Sequence, residues 1–380
     1  MNAILKNTER TRVLINGLHA KSGGGITYLR NVLPLFGADP TLEVHLFIHV
    51  DQYETFSKSG DGVRIHLLNF PTGFFRLLLW EQAVLPVMAK MIGADVVFST
   101  ANYGPFTMRN QVILLRNAPA VGRREWRIAR RLYWITLAFA TRLSLIIARR
   151  AIAVSDYAAE TITPFWVRDK ISIVHHGVSE LFRAQNDIPV AERENFLLMI
   201  ADIYVQKNLH TVIKALARVR ETHEDVKLLV AGSILDQSYY NQLRTQIERF
   251  GLSENISFLG SKSPEEVRDL YHSCRAMIFA STVEAFGNPL VEAMASSCPV
   301  ISSDAAAMPE IAGDGVLYFN PYDDEALAAL LERVLSDQSL CDDLSKRASI
   351  RAQAFSWSLT AEKTARVLRE AAALASKRSA

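Results

Sequence analysis

Glu284 and Glu292 are separated by seven residues and stand either side of Gly287-Asn288-Pro289, in the stretch ASTVEAFGNPLVEAMASSCPVISSD that begins at Ala280. The apolar run AMIFAS (276–281) before them reads as a strand. Asn288 suits a helix N-cap and Pro289 the first helical position. That reading puts Glu284 in the loop after the strand and Glu292 one turn into the next helix. The helix start would present unsatisfied backbone N–H groups and the positive end of its dipole, which suits a diphosphate. Taken singly, Glu292 need only offset the dipole and Glu284 need only be a solvated loop residue. Both acids around one turn point to a binding site. Lys207, in VQKNLHTVIKAL, follows the strand FLLMI (196–200) and opens a helix with Asn208. A cation there can neutralise charge developing on a departing diphosphate, although a lysine at such a place can also be merely solvated. Near the amino end, Gly23-Gly24-Gly25 follows RVLINGLHAK, and glycines let backbone N–H groups approach an oxyanion closely. Tyr28 occupies the place of a third glycine, so the dinucleotide fingerprint fails.

These residues carry a family resemblance. Glu284, Phe286, Gly287, Pro289, Glu292, Ala293, Met294 and Ala295, followed by Pro299-Val300-Ile301 and Pro309-Glu310, match E-x-F-G-x-P-x-x-E-A-M-A, P-V-I and P-E. This pattern resembles the retaining, nucleotide-sugar-dependent glycosyltransferases of family four, on the GT-B fold. Among them, the chain looks like the mannosyltransferases of O-antigen and exopolysaccharide synthesis. The resemblance implies an α/β architecture of two Rossmann-like domains whose parallel sheets face a central cleft. It makes Glu284 and Lys207 the catalytic pair, with Glu284 on the donor sugar's hydroxyls and Lys207 on its diphosphate. Glu292 would bind the nucleotide's ribose, helped by Phe286, Gly287, Asn288 and Pro289. Gly260 and Ser261 would lie against the nucleobase, and Gly24 and Gly25 would face the diphosphate. Trp80 and Glu81, in a W-E-Q-x-x-L-P segment, and Arg116-Asn117 would serve the acceptor side; Trp80 could equally be a core residue at a helix start. Two positions depart from the pattern. Gln206 stands where the family carries Arg, and Arg116 where many members carry His.

The elements needed to position these groups are legible. Candidate strands are 12–16, 43–50, 95–99, 111–115 and 151–155, then 196–200, 226–232, 256–260, 276–281 and 299–303. Most are continuous apolar runs, as strands buried on both faces should be, and helical patterns alternate with them. Strand–helix alternation predicts parallel sheets built from βαβ units. The polar stretch LFRAQNDIPVAEREN (181–195) places a boundary near residue 183. The expectation is an acceptor-binding domain over 1–182, a nucleotide-sugar-binding domain over 183–356 and a terminal helix over 357–380 returning to the first domain. His175-His176-Gly177-Val178 resembles the loop entering the interdomain hinge. Adjacent histidines on a strand point to opposite faces, which argues against a metal there.

Composition excludes other classes. The chain has 380 residues, 42 Lys plus Arg against 40 Asp plus Glu, 49% hydrophobic and 22% charged residues. A net charge of +2 argues against a nucleic-acid binder, and the composition against disorder. Cys274, Cys298 and Cys341 form no C-x-x-C pair, which fits a reducing cytosol. The charged start argues against a signal peptide. One segment breaks the balance: 123–150 holds eight arginines against the single acid Glu125. It reads either as a helix with solvated arginines or as a surface that rests on anionic lipid, the inner face of a membrane. The partners expected are thus a nucleotide-sugar donor, with GDP-mannose before UDP-hexoses, and a glycan acceptor, for which a polyprenyl-diphosphate carrier is one candidate. No D-x-D occurs, so neither a metal nor another cofactor is expected. No P-loop or G-x-S-x-G elbow occurs either. The rival readings are a nucleotide-sugar 2-epimerase of the same fold, a non-catalytic sugar-nucleotide binder and, more distantly, a nicotinamide oxidoreductase.

Overall fold

The computed structural model describes residues 10–21, 23–71, 73–116, 128–183 and 189–376. They divide into two units, one of residues 1–177 with 357–380, the other of residues 178–356. The division thus falls at Gly177 and Val178, ahead of the expected boundary near 183. The reason is local: Arg183, at the end of the short helix Glu180–Arg183, donates to the carbonyls of Ala352 (2.9 Å) and Phe355 (2.6 Å), tying 178–183 to the second unit.

The first unit is a parallel sheet of seven strands: β1 (Thr11–Asn16), β2 (Leu42–His49), β3 (Val63–Leu68), β4 (Val96–Ser99), β5 (Gln111–Leu115), β6 (Arg150–Ala153) and β7 (Ile171–Ile173). Their spatial order is β3-β2-β1-β4-β5-β6-β7. The second unit has six parallel strands: β8 (Glu194–Ile200), β9 (Lys227–Ala231), β10 (Ile256–Gly260), β11 (Cys274–Phe279), β12 (Val300–Ser303) and β13 (Leu317–Phe319), ordered β10-β9-β8-β11-β12-β13. The central strands β4, β5 and β11 are buried at every residue. Three strands escape the sequence reading: β3, β7 and β13. Each lies at a sheet edge and is only partly buried, so it lacks the continuous apolar run that marks a central strand.

Each sheet reverses its winding once, between β1 and β4 in the first unit and between β8 and β11 in the second. Beyond the carboxyl ends of the strands at such a reversal, the connecting loops diverge and leave a crevice for ligands. The helix Trp357–Ser376 belongs to the first unit. Tyr28 and Thr364 share a hydrogen bond of 3.1 Å, and Thr360 donates to the His175 carbonyl at 2.8 Å. His176 is 4% exposed between the rings of Tyr28 and Trp357, with centroids 5.4 and 5.6 Å away. That histidine is a packing residue.

Candidate functional site

In the second unit the reversal between β8 and β11 brings together residues that the sequence separates by 77 positions. Lys207 lies beyond β8 and Glu284 beyond β11, and Lys207 Nζ donates to Glu284 Oε1 at 2.5 Å. The two side chains keep 12% and 20% of their surface. Burial alone would lower the Lys207 pKa, but Glu284 and Tyr204 outweigh it, so the ammonium is held charged. Its Nζ also lies 5.6 Å from the Tyr204 ring centroid and 5.9 Å from that of Phe279.

The backbone explains how Lys207 is aimed. A 3₁₀ turn, Val205–Lys207, precedes the helix Leu209–Val219, and Asn208 joins them in the left-handed conformation with φ 61°. Asparagine tolerates that region better than most residues. The Asn208 amide then donates to the carbonyls of Ala280 (3.1 Å) and Pro321 (2.7 Å). Thr282 N donates to the Gln206 carbonyl at 2.9 Å, so the turn after β8 is laced to the loop after β11. Sequence reasoning gives Asn208 only a helix-opening part; here it pins the two loops together. Gln206 is buried at the position of the family's arginine.

Glu292 sits in the helix Asn288–Ala295. The cap of this helix is Gly287 in the left-handed region (φ 87°), and Asn288 is its first residue, so the cap falls one position earlier than the sequence suggests. A side chain at 287 would meet the Phe279 ring at 3.2 Å, so glycine is required on both counts. Phe286 is also corrected: it is 4% exposed and packs edge-on to Phe355, which makes its ring a core group and not a donor contact. The Glu292 carboxylate makes no hydrogen bond or ion pair among the described residues. Desolvation raises its pKa from 4.5 to about 7. An unpaired carboxylate in such surroundings is costly, and a ligand offering hydroxyl donors would satisfy it.

A pocket of about 290 Å³ opens at the carboxyl ends of β8, β9 and β10, lined among others by Asp202, Tyr204, Lys207, Ser261, Lys262 and Pro289. Gly260 and Ser261 stand at its exposed rim, where Ser261 Oγ meets Ser233 Oγ at 2.6 Å. Gly232, on the wall, leaves no room for a side chain: a Cβ there would lie 2.1 Å from the Ala201 carbonyl oxygen. Among the described residues no cluster of His, Cys, Asp and Glu has the make-up of a metal site.

The first unit gathers a separate group of residues. Gly24 and Gly25 begin the helix Gly24–Ala38, and a side chain at 25 would strike the Arg116 guanidinium. Arg116 donates to the His19 carbonyl at 3.3 Å, and burial lowers its pKa. Trp80 is 9% exposed in the core of the unit, its ring stacked on Phe70 at 6.0 Å. Glu81 is fully enclosed. Neither can touch an acceptor directly, because the W-E-Q segment forms the first residues of a π-helical turn, Trp80–Val84, that points both inward. Gln82 instead holds the next loop, accepting from Phe106 N at 2.8 Å. Asn117 lies outside the described residues, as do 123–127 of the arginine-rich segment.

Comparison with known proteins agrees with this geometry. Residues 182–351 match the family model "Glycosyl transferases group 1". The O-antigen chain mannosyltransferase RfbU of Salmonella typhimurium is 27% identical over 76% of this chain and 79% of its own length. The serotype-specific mannosyltransferase WbdA of Escherichia coli is 28% identical over 55% of this chain, which corresponds to 23% of that longer protein. Among solved structures, HepE of Anabaena in complex with UDP and glucose superposes with a TM-score of 0.74 at 17% identity, covering 95% of this chain and 100% of that one. Residues 182–351, most of the second unit, thus match the group 1 glycosyltransferase model, and the protein is a glycosyltransferase with the GT-B fold.

Proposed function

We propose that the enzyme moves a hexose, mannose in the first instance, from a nucleoside-diphosphate donor to a growing cell-surface glycan, with retention at the anomeric carbon. The observation that carries the reading is the group of Lys207, Glu284 and Glu292 beyond β8 and β11: one largely buried cation, one carboxylate paired with it, one carboxylate without a partner. In this reading the diphosphate takes over Lys207, whose charge eases departure of the leaving group, and the start of the helix Asn288–Ala295 adds backbone N–H groups. Glu284, released from the lysine, accepts from the sugar's hydroxyls, and Glu292 accepts from the ribose. Gly260 and Ser261 flank the base. Gly24 and Gly25 offer backbone N–H groups to an anion in the first unit. In this reading the protein supplies no covalent nucleophile, and the acceptor hydroxyl attacks on the face that the diphosphate leaves. The departing phosphate takes its proton. The mannosyltransferase names of RfbU and WbdA support mannose; the UDP and glucose in HepE support a nucleotide-sugar donor.

A thermal-shift panel of GDP-mannose, UDP-glucose, UDP-galactose and dTDP-rhamnose tests the donor. A ligand at 100 times its Kd stabilises the folded state by about 2.7 kcal/mol. The expected result is a shift of several degrees with GDP-mannose that exceeds the others. Equal shifts, or none, would contradict the assignment of the donor.

The same proposal places the enzyme on the inner membrane surface, where a polyprenyl-linked acceptor would be found. No helix among the described residues is long and apolar enough to cross a membrane. The helix Ile128–Ile147 nevertheless exposes Leu132 (61%), Ile135 (57%), Phe139 (67%) and Ile146 (53%), which recur at helical spacing on one stripe, with Arg131 and Arg142 exposed beside them. Phe165 and Trp166 are likewise exposed, in a short helix whose Lys170 caps the carbonyl end of Ile128–Ile147 through Ile146 O at 2.9 Å. Apolar and aromatic side chains rimmed by arginine suit the headgroup boundary of an anionic leaflet. Wild-type protein should float with vesicles containing about 30% phosphatidylglycerol, and lose most of that binding in Ile135→Glu/Phe139→Glu. Equal flotation of the two proteins would refute the membrane contact.

A further inference from the structure

Beyond β1 and β4, at the winding reversal of the first unit, lies a buried carboxylate that the proposed chemistry does not use. Glu81 has no exposed surface, yet among the described residues no lysine or arginine pairs with it. Its partners are Asn16, whose Nδ2 donates to Oε1 at 2.6 Å, and His19, whose Nε2 lies 3.1 Å from Oε2 and 3.3 Å from Oε1. Enclosing a carboxylate is costly unless its lone pairs are used, so a placement this deep needs a reason. The backbone is distorted to achieve it: Glu81 sits in the π-helical turn Trp80–Val84, a geometry that is uncommon and concentrates at functional sites.

The consequence falls on His19. A carboxylate only accepts, so Nε2 carries a ring hydrogen towards Glu81 and Nδ1 is the nitrogen left to meet a ligand. Nδ1 has no hydrogen-bond partner among the described residues and is not enclosed, and the side chain keeps 15% of its surface. The rest of the ring is fixed. Tyr103, which follows β4, packs against it edge-on with centroids 5.2 Å apart, and Arg116 holds its carbonyl. Asn16 is held in turn, with its Oδ1 accepting from Leu18 N at 3.3 Å and its carbonyl from Thr100 Oγ1 at 2.9 Å. A ring nitrogen that is held in place and keeps some exposure is suited to a hydroxyl, which can both donate and accept.

We propose that His19 Nδ1 receives a hydroxyl of the acceptor sugar, with Glu81 and Asn16 as positioning residues that fix the imidazole's tautomer and direction. The inference rests on the transferase reading, and it names the acceptor's side of that reaction: a pyranoside hydroxyl, bound in the first unit without the donor's help. It also gives Glu81 its part, which is to act through His19.

The test is a titration of the full-length enzyme with methyl α-mannoside, methyl α-glucoside, methyl α-galactoside and methyl N-acetyl-α-glucosaminide, read at the imidazole nitrogens by long-range ¹H–¹⁵N NMR. One or more of these glycosides should move the His19 Nδ1 resonance. The same glycoside should bind about ten-fold more weakly to His19→Ala, a loss of roughly 1.4 kcal/mol, with His19→Asn restoring part of it because Asn Oδ1 reaches the Nδ1 position. Glu81→Gln should weaken binding less and change the His19 tautomer signal, which a purely structural role would leave alone. GDP-mannose affinity should be unchanged in all three variants. Binding that ignores His19, or no binding of any of the four glycosides, overturns the proposal. Failure of the transferase reading would show separately, as wild-type enzyme that releases no sugar from any nucleotide donor.

Discussion

Glu284→Gln is expected to lower turnover at least about 100-fold while leaving the protein folded, the loss typical when one preorganised contact to the reacting centre is removed. The isostere is chosen because Lys207 is nearly enclosed and its 2.5 Å bond to Glu284 supplies its counter-charge. An alanine would leave a buried ammonium unpaired, and the resulting loss of stability would obscure the loss of chemistry. The glutamine carbonyl still accepts from Lys207 but brings no counter-charge, so the fold should lose about 1.5–3 kcal/mol, less than with alanine. Donor affinity should fall by less than turnover, because the lysine that meets the diphosphate remains while the carboxylate that accepts from the sugar's hydroxyls is lost. Paired measurement of kcat and thermal midpoint checks this. A variant that turns over like the wild type would remove Glu284 from the chemistry.

Glu292→Gln should make the protein more stable and a poorer enzyme. The carboxyl of Glu292 is raised from 4.5 to about 7 by desolvation alone. The folded state therefore holds a proton that the unfolded chain has already lost between those two values, and stability falls as pH rises through that window. Above pH 7 the cost is complete, at most about 3 kcal/mol and less for the part of the side chain that reaches solvent. The glutamine variant removes it. Its midpoint should exceed that of the wild type by several degrees at about pH 8 and match it at about pH 4.5. Binding runs the other way. A carboxylate that accepts from ribose hydroxyls contributes about 1.5–3 kcal/mol, so the variant should bind donor about 10- to 100-fold more weakly at about pH 8. Wild-type affinity should itself decline as pH falls below about 7, a dependence that Glu292→Gln would abolish. Calorimetry and donor titration across the range from about pH 5 to about pH 8 check both halves. A variant no more stable than the wild type at the upper end would show that Glu292 is satisfied within the protein.

Much of this arrangement is legible in the chain. Continuous apolar runs mark central strands because both faces are buried, and all nine central strands among the described residues are found that way, with the edge strand β10 beside them. Edge strands such as β3 and β13 carry a mixed pattern and need the sheet to be seen. Lys207, Glu284 and Glu292 are named in the sequence because their spacing relative to a strand and a helix start is local. What is not local is lost. Asn208 joins positions 72 and 113 residues away, and His19 meets Glu81 across 62. Nothing near His19 in the chain distinguishes it from any loop histidine. The W-E-Q segment shows the limit most clearly: its letters are visible, but the π-turn that turns Trp80 into the core and Glu81 onto His19 is not. Phe286 is a similar case, a motif residue whose ring belongs to packing.

The most direct test of the central claim follows GDP-mannose by NMR as it is incubated with the enzyme, first alone and then with a lipid extract containing polyprenyl-diphosphate-linked glycans. The account predicts slow or no change with donor alone, and release of GDP with an α-configured mannoside in the lipid fraction once acceptor is present, both lost in Glu284→Gln. Conversion of GDP-mannose into another nucleotide sugar without acceptor, or turnover that Glu284→Gln leaves intact, would contradict it.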